Sequence, residues 1–150
     1  MILTTEQLHE HAGQVAMVDG GFDPLHAGHI EYFRAARELG APVLCNVSSD
    51  VYVARKHAPL LPDRERIKLI DAIRYVDFAH LSSTTTNDVL VRLRPRYYVK
   101  GRDWTGRLPA EEVATCERYG IEIVYLDTVL HSSSEILNDY VARERERTTT

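Results

Sequence analysis

The sequence predicts an α/β fold: a doubly wound, parallel sheet of five strands with helices on both faces. Three observations predict it. Short apolar runs alternate with segments of helical period along most of the chain. The apolar runs are nearly continuous, as in strands that are covered on both faces. Capping and breaking residues (Gly40, Pro62, Pro95, Pro109, Gly120) punctuate the alternation. Strand, helix, strand in repetition gives βαβ units, and βαβ units give a parallel sheet.

The elements follow in order. Val15–Val18, bounded by Asp19-Gly20-Gly21, reads as the first strand. Ile30, Phe33, Ala36 and Leu39 then fall on one helical face, and Gly40 ends that helix. Pro42–Val47 is the second strand. Pro62 precedes a helix with Ile67, Ile70, Ile73 and Val76 in line. Phe78–Leu81 is the third strand. Thr86 or Asn87 would cap a helix carrying Val89, Leu90 and Leu93, which must end before Pro95. Tyr97–Val99 is the fourth strand. Pro109 opens a helix that Gly120 closes, and Ile121–Leu126 is the fifth strand. A last helix from about Ser134 would turn Ile136, Leu137, Tyr140 and Val141 inward. Beyond it, Ala142–Thr150 alternates in charge and reads as a helix end fraying over about 143–150. The expectation is one domain over residues 1–150, Rossmann-like in winding.

Composition narrows the function classes. The 150 residues are 44% hydrophobic and 27% charged, as in ordinary globular chains. No apolar run approaches the ~20 residues of a membrane span. The net charge of −4 argues against a general nucleic-acid binder. Met1–Glu6 has neither a basic nor an apolar leader segment, so the expected location is cytoplasmic. Of the two cysteines, Cys45 reads as a small buried residue and Cys116 as part of a helix face, and no spacing suggests a zinc site.

In a doubly wound sheet, ligands bind beyond the carboxyl ends of the strands. The loop after the first strand is Gly20-Gly21-Phe22-Asp23-Pro24-Leu25-His26-Ala27-Gly28-His29. Its glycines permit close backbone approach to a ligand. His26 and His29 are three apart, so both can face one side of the first helical turn. Gly28 lets a phosphate lie near free N–H groups of the helix start. Two imidazoles and a helix N-terminus form a donor array for phosphate. A plain turn with two surface histidines is the alternative, and a two-histidine metal pair is weak for want of a further ligand near in sequence. Arg55 and Lys56 follow the second strand, and Arg66 opens the helix after Pro62. Lys100, Gly101, Arg102, Asp103 and Trp104 follow the fourth strand. Ser132, Ser133 and Ser134 sit at the start of the last helix and offer hydroxyls and N–H groups to an anion, or merely cap it.

The first of these loops resembles the GxFDxxHxGH signature of the nucleotidyltransferase family, which includes heptose-1-phosphate adenylyltransferases and glycerol-3-phosphate cytidylyltransferases. The likeness extends over about residues 15–141. It implies transfer of a nucleoside monophosphate from a nucleoside triphosphate to a small phosphorylated acceptor, with Mg2+ as cofactor and a homodimer as the expected assembly. It implies catalytic roles for His26, His29 and Lys56, with Arg55 competing for the lysine's place. It implies nucleotide contacts from Gly21, Phe22, Asp23, Gly28, Lys100, Asp103 and the serine run, with Asp23 structural or near a metal. Arg66, with Arg55 and Trp104, would face the acceptor; a helix-surface ion pair for Arg66 and loop packing for Trp104 are the plainer readings. Lys100-Gly101 looks like the heptose-phosphate branch, whereas Gly101-x-Asp103-Trp104-x-Gly106-basic looks like the cytidylyl branch. Asp127 and Leu130 occupy positions where the cytidylyl branch carries arginine and glycine. Leu137 stands where the nicotinate-nucleotide branch has arginine, and His26 where the pantetheine branch has threonine. A sugar-phosphate adenylyltransferase is therefore preferred, a CTP-dependent enzyme is the alternative, and a non-catalytic nucleotide sensor on the same fold is the more remote one. His9, His11, His57, His80 and His131 receive no role.

Overall fold

The computed structural model describes residues 1–128 and 132–149. Among them the sheet has six strands, all parallel: β1 (Ile2–Leu3), β2 (Ala16–Gly20), β3 (Val43–Ser48), β4 (Phe78–Ser82), β5 (Tyr97–Gly101) and β6 (Glu122–Leu126). Their spatial order is β1-β4-β3-β2-β5-β6. The chain runs outward from β2 to β4 on one side, then returns to place β5 against the other side of β2. The switch point thus lies between β2 and β5.

The helices are α1 (Ala27–Arg37), α2 (Asp50–Val53), α3 (Asp63–Asp71), α4 (Thr86–Leu93), α5 (Ala110–Tyr119) and α6 (Ser133–Thr149). Alternate strand residues feed two cores. Ala16, Val18, Cys45, Val47 and Val99 pack under Tyr32, Phe33 and Ala36 of α1 and Ile67 and Ile70 of α3. Val15, Met17, Leu44 and Tyr98 pack under Val89, Leu90 and Leu93 of α4 and Cys116 of α5. Cys45 is buried, as expected, and Cys116 is buried on α5; both are free.

The five expected strands are all present, within about two residues of the expected ends. The sixth, β1, has two residues and pairs Ile2 with Ala79. Two residues cannot show an alternation, so the sequence carried no signal for it. Thr5–His11 forms a 3-10 helix and Arg102–Trp104 a second one, both in stretches where the sequence predicts no helix or strand. The cap of α4 is Thr85, whose hydroxyl accepts the Asp88 N–H, not Thr86 or Asn87. α3 stops at Asp71, although Ile73 still packs against the core beyond it.

The largest departure is α6. It continues as helix to Thr149, through the segment read as frayed. Tyr140 and Val141, expected inward, are 55% and 46% exposed. The first turns have a surface to cover, and Ile136 and Leu137 are half-buried.

Candidate active site

A cavity of about 370 Å3 opens over the switch point, at the carboxyl ends of β2 and β5. The loop after β2 forms one side of it. Gly20 continues into Gly21 and Phe22, and Phe22 has a left-handed backbone at φ 52°, a conformation unusual for a bulky side chain. Its ring lies beneath Gly20, where an added Cβ would come within 3.2 Å of it. The same ring meets His29 edge-on at 4.9 Å. A Cβ on Gly21 would meet Val53 at 3.1 Å, so glycine there permits α2 to close on the loop.

His29 lines the cavity and is 8% exposed. Its Nδ1 accepts the His26 backbone N–H at 3.2 Å. A nitrogen that accepts carries no proton, so the neutral ring is an Nε2–H tautomer. Burial, reinforced by the neighbouring His26, lowers its pKa to about 3. His29 is therefore a neutral N–H donor at physiological pH, neither a charged group nor a base held in reserve. His26 is fixed in the same way, its Nδ1 accepting the Gly28 N–H at 3.1 Å. The two rings lie 3.8 Å apart, with His26 behind His29 rather than on the cavity wall. Gly28 acts through that bond and does not itself line the cavity.

Asp23 is 1% exposed, and its carboxylate accepts the N–H groups of Leu60 and Leu61 at 2.7 and 3.0 Å. The His57 ring is 4.0 Å away. Of the two roles left open for Asp23, the bonding supports the structural one, although it also borders the cavity. Arg66 does not reach the cavity. Its guanidinium donates to the carbonyls of Leu61, Gly21 and Ser48 and to the Asp50 carboxylate, and the residue is 1% exposed. It ties the ends of β2 and β3 to α3 and has no free face for an acceptor. Arg55 lies outside this cavity too, with its guanidinium 4.5 Å from the Tyr52 ring.

Across the cavity, Lys100 is 3.0 Å from Asp19 and 4.3 Å from the Trp104 ring. Trp104 is thus half packing and half wall. Asp103 and the exposed Lys56 line the cavity as well. Gly101 is required where it is, because a Cβ would meet Asp103 Oδ1 at 2.6 Å and the Thr128 carbonyl at 3.1 Å. Ser132, Ser133 and Ser134 close the remaining side. Ser132 Oγ accepts the Glu135 N–H, as a cap does, and Ser133 Oγ donates to the Pro24 carbonyl. The second bond seats the α6 N-terminus against the signature loop. Leu130 and His131 fall outside the described residues.

Several lining residues had no sequence signal: Asp19, Tyr32, Ser48, Tyr52 and His57. Asp19 is the informative omission. In the sequence it only bounds the first strand, yet one oxygen binds Lys100 and the other accepts the Thr86 hydroxyl. Tyr32 donates its hydroxyl to the Val99 carbonyl, and its pKa is raised chiefly by burial, then by Asp19. Among the described residues no three of His, Cys, Asp and Glu group as a metal cage, and the carboxylates of Asp19 and Asp23 are already engaged. These residues do not build a magnesium site by themselves.

What the arrangement offers is a polyanion cradle: the N-terminus of α6, one neutral imidazole donor and two lysines. The chain is similar to several known proteins. The bifunctional protein HldE of Streptomyces coelicolor is 36% identical over 133 residues, which is 85% of this chain and 28% of that protein. HldE of Trichlorobacter lovleyi is 38% identical over 96 residues, 61% of this chain and 20% of that one. The FAD synthase of Methanothrix thermoacetophila is 38% identical over 88 residues, 58% of this chain and 62% of that one. The chain thus spans between a fifth and three tenths of the length of these HldE proteins. A lipopolysaccharide core biosynthesis protein from Thermoplasma volcanium shares the fold with a TM-score of 0.67, at 24% identity, over 78% of this chain and 98% of that one. Residues 17–139 match the Cytidylyltransferase-like family, and with this loop, cradle and strand order the chain belongs to it.

Proposed function

We propose that this domain is a nucleotidyltransferase that moves a nucleoside monophosphate from a nucleoside triphosphate to a phosphorylated sugar or polyol, with an adenylyl donor and a heptose-phosphate-type acceptor preferred. The observation that carries the reading is His29: a buried, neutral Nε2–H donor on the wall of a cavity that also presents Lys56, Lys100 and the α6 N-terminus. The HldE relatives favour the adenylyl form.

An acceptor phosphate is already an anion at neutral pH, so its attack needs no general base. One of its oxygens bonds to the α-phosphorus while the bond from that phosphorus to the bridging oxygen breaks, and pyrophosphate leaves in line. The protein has to position both partners and stabilise the charge that develops. His29, with His26 fixing its stack, donates toward the α-phosphate oxygens. Lys56, Lys100 and the serine run hold the outer phosphates. Asp23 and Arg66 act one step back, by fixing the loop that carries His29. Magnesium enters with the triphosphate as its complex, the usual mode for an ion that keeps several of its waters. A homodimer and a cytoplasmic location are part of the same proposal.

CTP is the second reading, favoured by Trp104 standing over Lys100 at the cavity edge in a Gly-x-Asp-Trp segment. The test is magnesium-dependent pyrophosphate release across ATP, CTP, GTP and UTP. Each is paired with heptose 1-phosphate, glycerol 3-phosphate and further phosphorylated acceptors. The expected outcome is release in the ATP–heptose 1-phosphate pairing. Release with CTP and glycerol 3-phosphate would move the assignment to the second reading, and silence across all pairings would refute transfer.

A further inference from the structure

Asp19, Asp23 and Asp103 line the first cavity, and a carboxylate on that wall opposes the binding of a polyanion. Asp23 is taken up by the N–H groups of Leu60 and Leu61, and Asp103 sits on the exposed turn Arg102–Trp104. Asp19 differs from both. Among the described residues it is the one lining carboxylate paired with a lysine of the cradle.

The pair is set by the sheet. Asp19 and Lys100 each stand next to last in their strands, β2 and β5, which run in parallel with Met17 beside Tyr98. Two residues further on, the same register puts Asp19 beside Lys100, with both side chains on one face. Each side chain is 10% exposed, and Lys100 Nζ donates to Asp19 Oδ1 at 3.0 Å. Thr86, at the start of α4, donates its hydroxyl to Asp19 Oδ2 at 3.0 Å. The Trp104 ring lies 4.3 Å from the ammonium. What Lys100 can offer a phosphate is therefore set by these neighbours. The Asp19 charge also reaches beyond Lys100: after burial, it is the next cause that raises the pKa of Tyr32, Tyr98 and Cys45.

A lysine paired in this way presents a dipole to its ligand, not a full charge. The pull of Lys100 on a phosphate is opposed by the push of Asp19 one ion-pair distance away. A pull that acts alike on the bound triphosphate and on the transition state lowers KM without raising kcat. It would hold the departing pyrophosphate equally.

We propose that Asp19 is a positioning residue that sets the affinity of the cavity for polyphosphate: as the counter-ion of Lys100 it fixes the ammonium on the cavity wall and keeps the hold on triphosphate and pyrophosphate moderate. This rests on the reading of the cavity as the polyphosphate site, but not on the base or the acceptor. Neutralising Asp19 strengthens anion binding. Removing Lys100 leaves an unpaired carboxylate facing the anion. The two effects are coupled, so neutralising Asp19 restores part of what the loss of Lys100 removes. A carboxylate with a purely structural role gives no such restoration.

The test is titration calorimetry of the full chain with magnesium and inorganic tripolyphosphate, a probe with neither base nor acceptor, and then with pyrophosphate. Four proteins are compared: wild type, Asp19→Asn, Lys100→Met and the double variant. Asp19→Asn keeps the shape of the side chain and an oxygen for Thr86. Thermal melts establish that each is folded, and Asp19→Ser stands in if the amide variant is not. The expected result is binding tighter by about threefold or more in Asp19→Asn than in wild type, and weaker in Lys100→Met. The double variant binds more tightly than Lys100→Met. A smaller gain or a loss in Asp19→Asn overturns the proposal, as does a double variant no tighter than Lys100→Met. With wild type still binding, that result leaves the polyphosphate reading of the cavity standing. Absence of binding in wild type and Asp19→Asn alike removes both.

Discussion

His29 and Arg66 are both basic residues near a phosphate-suited loop, yet burial gives them opposite uses. His29 has one nitrogen bound to backbone and the other available on a cavity wall. Arg66 spends its guanidinium on three carbonyls and Asp50. Arg66→Lys should therefore act on stability, because one ammonium cannot replace that fork of donors. A loss of about 3 kcal/mol is expected in urea denaturation, with acceptor KM unchanged in the folded enzyme; a raised KM with unchanged stability would return Arg66 to the acceptor. The two buried neutral histidines also set a pH dependence. His29 has a folded pKa of about 3 against 6.5 in the unfolded chain, and that of His80 is lowered as well. Below pH 6.5 the unfolded chain takes up protons that the folded one refuses. Stability is thus full above about pH 6.5 and falls as the pH drops, by up to about 1.4 kcal/mol per unit for each histidine. Urea midpoints at pH 7 and pH 5 check this, and a smaller drop in His29→Ala would assign its share. The motif spacing made His26, His29 and the serine run legible in the sequence. Asp19 was not legible, because its role arises only when the fold sets it beside Lys100.

At the scale of elements, chain punctuation carried most of the information. Gly120 was read as a helix terminator, and it ends α5 in the left-handed region at φ 67°. Gly120→Ala should cost about 1 kcal/mol, read as a lower melting temperature with no change in nucleotide binding. An unchanged melting temperature would mean that the α5 terminus relaxes freely. Helix-period reasoning failed where it lacked a partner surface. The spacing of Tyr140 and Val141 is helical, and the helix forms, but its later turns stand exposed. Strand β1 failed for the opposite reason, since its two residues are specified by pairing with β4 rather than by any pattern of their own.

The whole molecule explains why the site lies where it does. The strand order turns around at β2, so β2 and β5 diverge at their carboxyl ends and leave a crevice between their loops. Into it the chain brings the signature loop, the Lys100 segment and the α6 N-terminus from positions about 80 and 110 residues apart in sequence. The next strands outward, β3 and β4, carry a second cavity of about 280 Å3. The alternation of runs predicted the doubly wound sheet, and with it the place of the first cavity. The central claim is that this crevice catalyses nucleotidyl transfer with a neutral imidazole donor on its wall. The measurement that tests it most directly is acceptor-dependent pyrophosphate release, wild type beside folded His29→Ala, at saturating triphosphate. The account predicts turnover in wild type and a loss of at least a few hundredfold, about 3–4 kcal/mol of barrier, in the variant. Turnover in His29→Ala within a few fold of wild type would contradict it.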